Sequence, residues 1–128
     1  MVHLDFRDAR PIYAQIVDGV RQQISAGILL QGEKLPSVRE FATTAAVNPN
    51  TMQKALCELE NMGLVSTQRT AGRFVTSDTG IINSVGYKKL RQLTAEYMQK
   101  LNTLGYSSKD AIEIIQEHEK EAAENGIQ

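Results

Sequence analysis

The stretch LPSVREFATTAAVNPNTMQKALCELENMG, residues 35–63, decides how the chain folds. It holds two helix starts a short distance apart. Ser37 is a helix-capping residue, and Glu40, three positions on, completes a capping-box pattern. Asn48 is a second cap, with Pro49 at the first helical position, where a missing N–H costs nothing. The second helix separates into two faces. Met52, Ala55, Leu56, Leu59 and Met62 recur at helical spacing and are expected to face a core. Asn50, Gln53, Lys54 and Cys57 fall on the opposite side. Gly63 closes the helix where positive φ is usually required. A short helix, a tight turn through residues 44–47, and a helix with amide and cationic groups at its N-terminal end make the helix-turn-helix layout. Periodicity alone does not separate this from any two-helix corner of a globular core.

The flanking residues do. After Gly63 the period changes to two: Leu64 to Arg69 is strand-like, Thr70-Ala71-Gly72 is turn-like, and Arg73 to Thr76 resumes a strand. The result is a β-hairpin with Arg69 and Arg73 beside its tip. Upstream, Pro11 to Ala26 is predicted helical, with Tyr13, Ile16, Val17, Val20 and Ile24 in one stripe and Gly27 as the stop. Asp18, Arg21, Gln22 and Gln23 are expected on its solvated side. Residues 1–11 read as a polar arm, and residues 28–35 as a connector turning at Gly32. Val38 and Phe41 are the expected core contributions of the middle helix. Three helices followed by a cationic hairpin predict a winged helix-turn-helix domain over residues 1–76, within a mainly α fold.

From Asp78 onward the composition shifts to helix formers, without repeats or low-complexity runs. Ile82, Leu90, Leu93, Tyr97, Leu101 and Leu104 form a long apolar stripe ended by Gly105. Ser107 with Asp110 restarts a helix whose apolar positions are Ala111, Ile112, Ile115 and Ala122. Residues 77–128 are therefore expected to be a helical hairpin. A helix pair this small cannot bury its own stripe well, so it should pack on a second copy or on the winged domain. Leu90, Leu93, Tyr97, Leu101, Ile112 and Ile115 are the expected dimer contacts. The glutamates at 113, 117, 119, 121 and 124 read as a solvated face.

Composition narrows the function classes. With 41% hydrophobic and 23% charged residues, a folded domain is expected. No apolar run approaches the roughly 18 residues that a membrane span needs, and no signal-peptide core is visible. The single cysteine excludes an internal disulfide framework and suits a reducing cytoplasm. Cys57 lies beside Lys54 and Glu58, a weak setting for a redox thiol. His3 and His118 show no ligand spacing with another His or Cys, so no metal is expected, and no cofactor motif is present. Phosphate-cradling glycine loops, nucleophile elbows and paired catalytic carboxylates are missing, which argues against an enzyme. The net charge of −1 is unusual for a nucleic-acid binder. Residues 1–76 hold 8 Lys+Arg against 7 Asp+Glu, and residues 77–128 hold 6 against 8, so any such contact must use a local patch. A winged-helix protein–protein interaction module is the alternative that this neutrality favours.

An ordered set of motifs resembles the GntR family of bacterial transcription regulators, and most closely its short YtrA-type subfamily. It runs through Pro11-Ile12-Tyr13 with Gln15-Ile16, Gly32 to Glu40, Val47 to Thr51 with Gln53-Lys54-Ala55, and Leu59-Glu60 with Gly63-Leu64. It continues in Gly72-Arg73-Phe74-Val75 and in Leu104-Gly105-Tyr106-Ser107. Larger relatives carry an effector-binding domain; here a helical pair similar to a dimerisation element stands in that place, and the sequence names no small-molecule effector. The resemblance implies a cytoplasmic homodimer on an inverted-repeat DNA operator, commonly repressing a nearby operon, often one encoding an ABC transporter and often its own. It implies that Arg39 contacts DNA from the middle helix. It also implies that Asn48, Asn50, Thr51 and Gln53 enter the major groove and that Arg69 and Thr70 form the wing tip. The chemistry agrees: amides pair with adenine edges, Thr51 suits a thymine methyl or a phosphate, and Arg39 and Lys54 suit phosphate or guanine. Arg73 joins Arg69 as a candidate minor-groove cation. The family commonly carries glycine where Thr70 stands, and Gly72 is then the residue left to supply the turn.

Overall fold

Three apolar stripes meet in one core, and the helices that carry them follow from their caps. The computed structural model describes Leu4, Phe6 and residues 9–126. The elements are α1 (Ile12–Ser25), α2 (Val38–Ala45), α3 (Pro49–Asn61), β1 (Val65–Gln68), β2 (Gly72–Val75), α4 (Thr79–Thr103) and α5 (Ser108–Glu124). Asn48 caps α3 through its side chain, which accepts from the Asn50 N–H at 2.8 Å. Ser37 caps α2 by accepting from Glu40 N–H at 3.2 Å, yet Glu40 makes no return bond, so this capping box is half-formed. At α5 the reciprocal box of Ser107 and Asp110 is complete. The turn between α2 and α3 passes through Ala46 at φ 56°. That left-handed conformation is strained for a side chain bearing Cβ.

Ile16, Val20, Phe41, Met52, Ala55, Leu56 and Leu59 are fully buried and form the centre of the core. Leu29, Leu35, Leu64, Val65, Val75 and Ile82 close it. Two expectations about α1 fail. Arg21 and Gln23, placed above on a solvated face, are buried, because α1 is covered from more than one side. Asp18 lies near Arg21, 3.9 Å away, and also pairs with Arg10. The arm before Pro11 is not merely polar either: Leu4 is buried and Phe6 packs against the core. Gly19 makes room for it, since a Cβ there would lie 2.5 Å from Leu4 Cδ2. His3 lies outside the described residues, as does most of the arm.

The hairpin is antiparallel, with Val65 opposite Val75, Ser66 opposite Phe74, Thr67 opposite Arg73 and Gln68 opposite Gly72. Residues 32–35, expected to be a plain connector, pair with the outer edge of β2. Gly32 N–H donates to Val75 O, Val75 N–H to Glu33 O and Leu35 N–H to Arg73 O, at 2.9–3.0 Å. One carboxylate ties the hairpin to α3. Glu60 Oε1 accepts from the Thr67 hydroxyl on β1 and from Arg73 Nε on β2, the latter at 2.8 Å.

The chain divides into two compact units, Met1–Gly86 and Tyr87–Gln128. The first turns of α4 belong to the first unit, where Asp78 Oδ1 caps Ile81 N–H and Ile82 enters the core. Ile82 therefore parts company with the stripe read through Leu104. In the second unit α4 and α5 pack little against each other. Leu90, Leu93, Tyr97, Leu104, Ile112 and Ile115 are exposed, and Ala111 is the buried residue of α5.

Two outcomes test these forces. Ala46→Gly should raise stability by about 0.5–1 kcal/mol, because relief of the left-handed strain exceeds the added unfolded-state entropy. Urea denaturation that shows no gain would mean the turn is held in that shape at no cost. The second concerns Glu60, whose carboxyl sits below the ordinary value of 4.5 because Thr67 and then Arg73 bond its ionised form. A depressed folded pKa contributes stability that is complete above pH 4.5 and is lost as pH falls through the lower folded value. The Arg73 Nε–H resonance should thus keep its bonded shift down to below pH 4.5. A midpoint at or above 4.5 would contradict the bond.

Candidate nucleic-acid interface

The packing of α3 decides what it shows to solvent. With Met52, Ala55, Leu56 and Leu59 at 0% exposure, the opposite face carries Asn50, Gln53, Lys54 and Cys57, all exposed. Thr51 is half-buried at the edge between the faces. Asn48 is exposed; its carbonyl oxygen is taken by the cap, which leaves its NH2 to donate outward. Gln53 Nε2 donates weakly to Cys57 Sγ at 3.4 Å. Lys54 Nζ rests 4.0 Å from the centroid of the Tyr13 ring, so a stripe residue of α1 holds this cation against the helix by a cation–π contact.

Arg39 is exposed on α2, one turn before Thr43, whose hydroxyl bonds the Arg39 carbonyl at 2.9 Å. At the wing, Ala71 N–H closes the turn by donating to Gln68 O at 3.1 Å, and Arg69 and Thr70 stand exposed between them. The positive φ of the tip falls on Gly72, at 105°, and Thr70 keeps an ordinary backbone. Glycine at 72 thus supplies the turn, as expected from the sequence. A Cβ at Gly72 would sit 3.1 Å from Lys34 Cε, so the Lys34 stem lies across the wing. Lys34, Ser37 and Glu40 share one groove with Thr70, Gly72 and Arg73, which brings the start of α2 and the wing together.

Lys34 is the residue that sequence reasoning missed. Its place follows from the pairing of residues 32–35 with β2, a long-range contact without a local signature. Among the described residues, Lys34, Arg39 and Arg69 have no ion-pair partner, whereas Arg73 is bound to Glu60. Cys57 is an exposed free thiol and His118 is exposed. Among the described residues no group of three or more His, Cys, Asp or Glu could hold a metal, and no helix is long and apolar enough to cross a membrane.

Residues 12–75, which include α1 through β2, match the family described as bacterial regulatory proteins, gntR family. The chain is 36% identical over 110 residues to the HTH-type transcriptional regulator YhcF of Bacillus subtilis, covering 86% of this chain and 91% of that protein. It is 42% identical over 78 residues to the HTH-type transcriptional repressor YtrA of the same organism, covering 61% of this chain and 60% of that one. A GntR family transcriptional regulator from Listeria monocytogenes has a solved structure that superposes with a TM-score of 0.80 at 36% identity, covering 88% of this chain and 98% of that chain. The AraR DNA-binding domain, solved in complex with operator ORX1, superposes with a TM-score of 0.52 at 28% identity, covering 59% of this chain and all (100%) of that one. With its helix-turn-helix and wing in place, the chain belongs to the GntR family and is a DNA-binding transcriptional regulator.

Proposed function

We propose that this regulator is a homodimeric, sequence-specific repressor that lays α3 in the major groove and the wing at the adjacent minor groove of an inverted-repeat operator. The observation that carries the reading is the outward row of Asn50, Gln53 and Lys54 on a helix whose other face is the core. Asn50 and Gln53 have the donor–acceptor pair that matches adenine N6 and N7, which favours A·T pairs inside each half-site. Thr51 suits a thymine methyl or a phosphate, and Asn48 donates to the backbone. Arg39 and Lys54 take phosphate or guanine. Arg69 and Thr70 form the wing's contact, with Gly72 shaping the turn and Lys34 adding a cation beside it. The repressor YtrA among the relatives supports the direction of control, and the AraR domain solved with its operator supports operator DNA as the partner. Its place of work is then the cytoplasm, where the DNA lies.

Dimerisation is assigned to residues 77–128. Tyr87, Leu90, Leu93, Tyr97, Ile112 and Ile115 are each at least 39% exposed, an apolar load beyond the scattered side chains of an ordinary surface. A two-fold pair would cover this load and repeat the reading head with the symmetry of the operator. Leu101, half-buried, lies on the same helix.

Selection of duplexes from a randomised pool tests the DNA reading directly. Retention that falls with salt supports it; recovery of no duplex, with salt-insensitive binding to another protein, favours the interaction-module alternative. On a selected duplex, Gln53→Ala or Asn50→Ala should each cost roughly 1–3 kcal/mol, with little loss on a scrambled one. An equal loss on both would reduce these amides to backbone anchors. For the dimer, light scattering at micromolar concentration should give twice the chain mass for wild type. Leu93→Glu with Tyr97→Glu should give a folded monomer. A monomeric wild type would end the dimer reading.

A further inference from the structure

Thr67 and Arg73 are direct cross-strand partners, so their side chains stand on the same face of the hairpin. Both end on one atom, Oε1 of Glu60, near the C-terminal end of α3. A single carboxylate thus grips both strands of the wing, at one cross-strand pair, the second from the tip. Val65, Val75 and the backbone bonds of residues 32–35 hold the hairpin to the rest of the winged unit, and the Glu60 grip adds a side-chain tether from α3 to both strands. The tip beyond it, Arg69 to Ala71, is exposed. Arg73 itself is a poor phosphate ligand in this arrangement. Its side chain is 20% exposed, and Glu60 neutralises its charge in place. Turning it toward DNA would leave the Glu60 carboxylate unpaired beside the same phosphates.

We propose that Glu60 and Arg73 are positioning residues for DNA recognition, a clamp that fixes the wing beside the recognition helix. In this assignment Arg73 acts through Glu60, and the wing's electrostatic contact belongs to Arg69 with Lys34. The depressed titration of Glu60 agrees, since the carboxylate is held ionised by the groups it clamps. This inference rests on the DNA reading above and deepens it.

The test uses the full chain and a duplex that the wild type has selected from a randomised pool, with a scrambled duplex as reference. Arg73→Ala and Glu60→Gln should both lower the preference for the selected duplex, each by about threefold, the scale of one partly exposed ion pair. Arg73→Ala should leave the salt slope unchanged, whereas Arg69→Ala should lower it by about one unit. The swapped pair, Glu60→Arg with Arg73→Glu, should recover most of the preference that Arg73→Glu alone loses. A direct phosphate contact by Arg73 predicts the reverse: Glu60→Gln would free the cation and tighten binding, Arg73→Ala would lower the slope, and the swap would bind no better than Arg73→Glu. Any of those three results overturns the clamp, with thermal melting used to confirm that the variants are folded. Failure of the wild type to select any duplex would instead overturn the DNA reading, and the positioning role with it, before a variant is made.

Discussion

Burial of one side of α3 is the constraint on which the rest of the structure depends. Met52, Ala55, Leu56 and Leu59 are sealed against Ile16 and Val20 of α1 and Phe41 of α2. Met52, Leu56 and Leu59 each contribute about 1.5–3 kcal/mol by leaving water. Together they fix the rotation of the helix about its axis, because turning it by one residue, about 100°, would expose part of the stripe and bury Gln53 or Lys54. Asn48 and Pro49 set where the helix begins, and Gly63 lies just past its end. The outward row of Asn50, Gln53 and Lys54 is thus settled by apolar packing on the other face of the helix, with Lys54 touching Tyr13 at its edge.

The wing depends on the same helix. Two strands of four residues make a hairpin too small to hold together alone in water. It is held by three attachments from elsewhere in the chain. Val65 and Val75 sink into the core, residues 32–35 add backbone bonds along β2, and Glu60 reaches over from α3. The middle attachment also delivers Lys34 to the groove beside the tip, so one pairing serves stability and charge placement together.

These attachments mark where the sequence is legible and where it is not. The caps Asn48 and Ser107, the stripes of α1 and α3, and the Thr70–Gly72 turn are local: spacing over four to eight residues is enough to see them. The winged architecture and the family follow from such signals in order. Leu4 on Gly19, Glu33 against Val75 and Glu60 against Arg73 join residues that are neighbours only after folding, and no period announces them. Arg21 and Gln23 looked solvated because a stripe shows one buried face, whereas α1 is covered on two. Ile82 looked continuous with Leu90 and Leu93 because helical spacing carries on through α4. It cannot report that the first turns enter the core and the later ones do not. The candidate site divides in the same way, with its amides readable from the pattern of α3 and its cations readable only from who is paired with whom.

That pairing resolves the awkward neutrality of the chain. A net charge of −1 matters less than which charges are engaged. Asp18 is occupied by Arg10 and Arg21, and Glu60 by Arg73. The cations left without an ion-pair partner among the described residues of the winged unit, Lys34, Arg39, Lys54 and Arg69, come from the segment before α2, from α2, from α3 and from the wing turn. A protein with few free cations gains little from counterion release, and its non-specific hold on DNA is correspondingly weak. Recognition must then rest on groups that distinguish bases, and α3 presents amides where a more basic domain would present arginine. On the proposed reading, low charge becomes a means of discrimination: the weaker the grip on arbitrary phosphate, the larger the share of binding that depends on the sequence beneath α3.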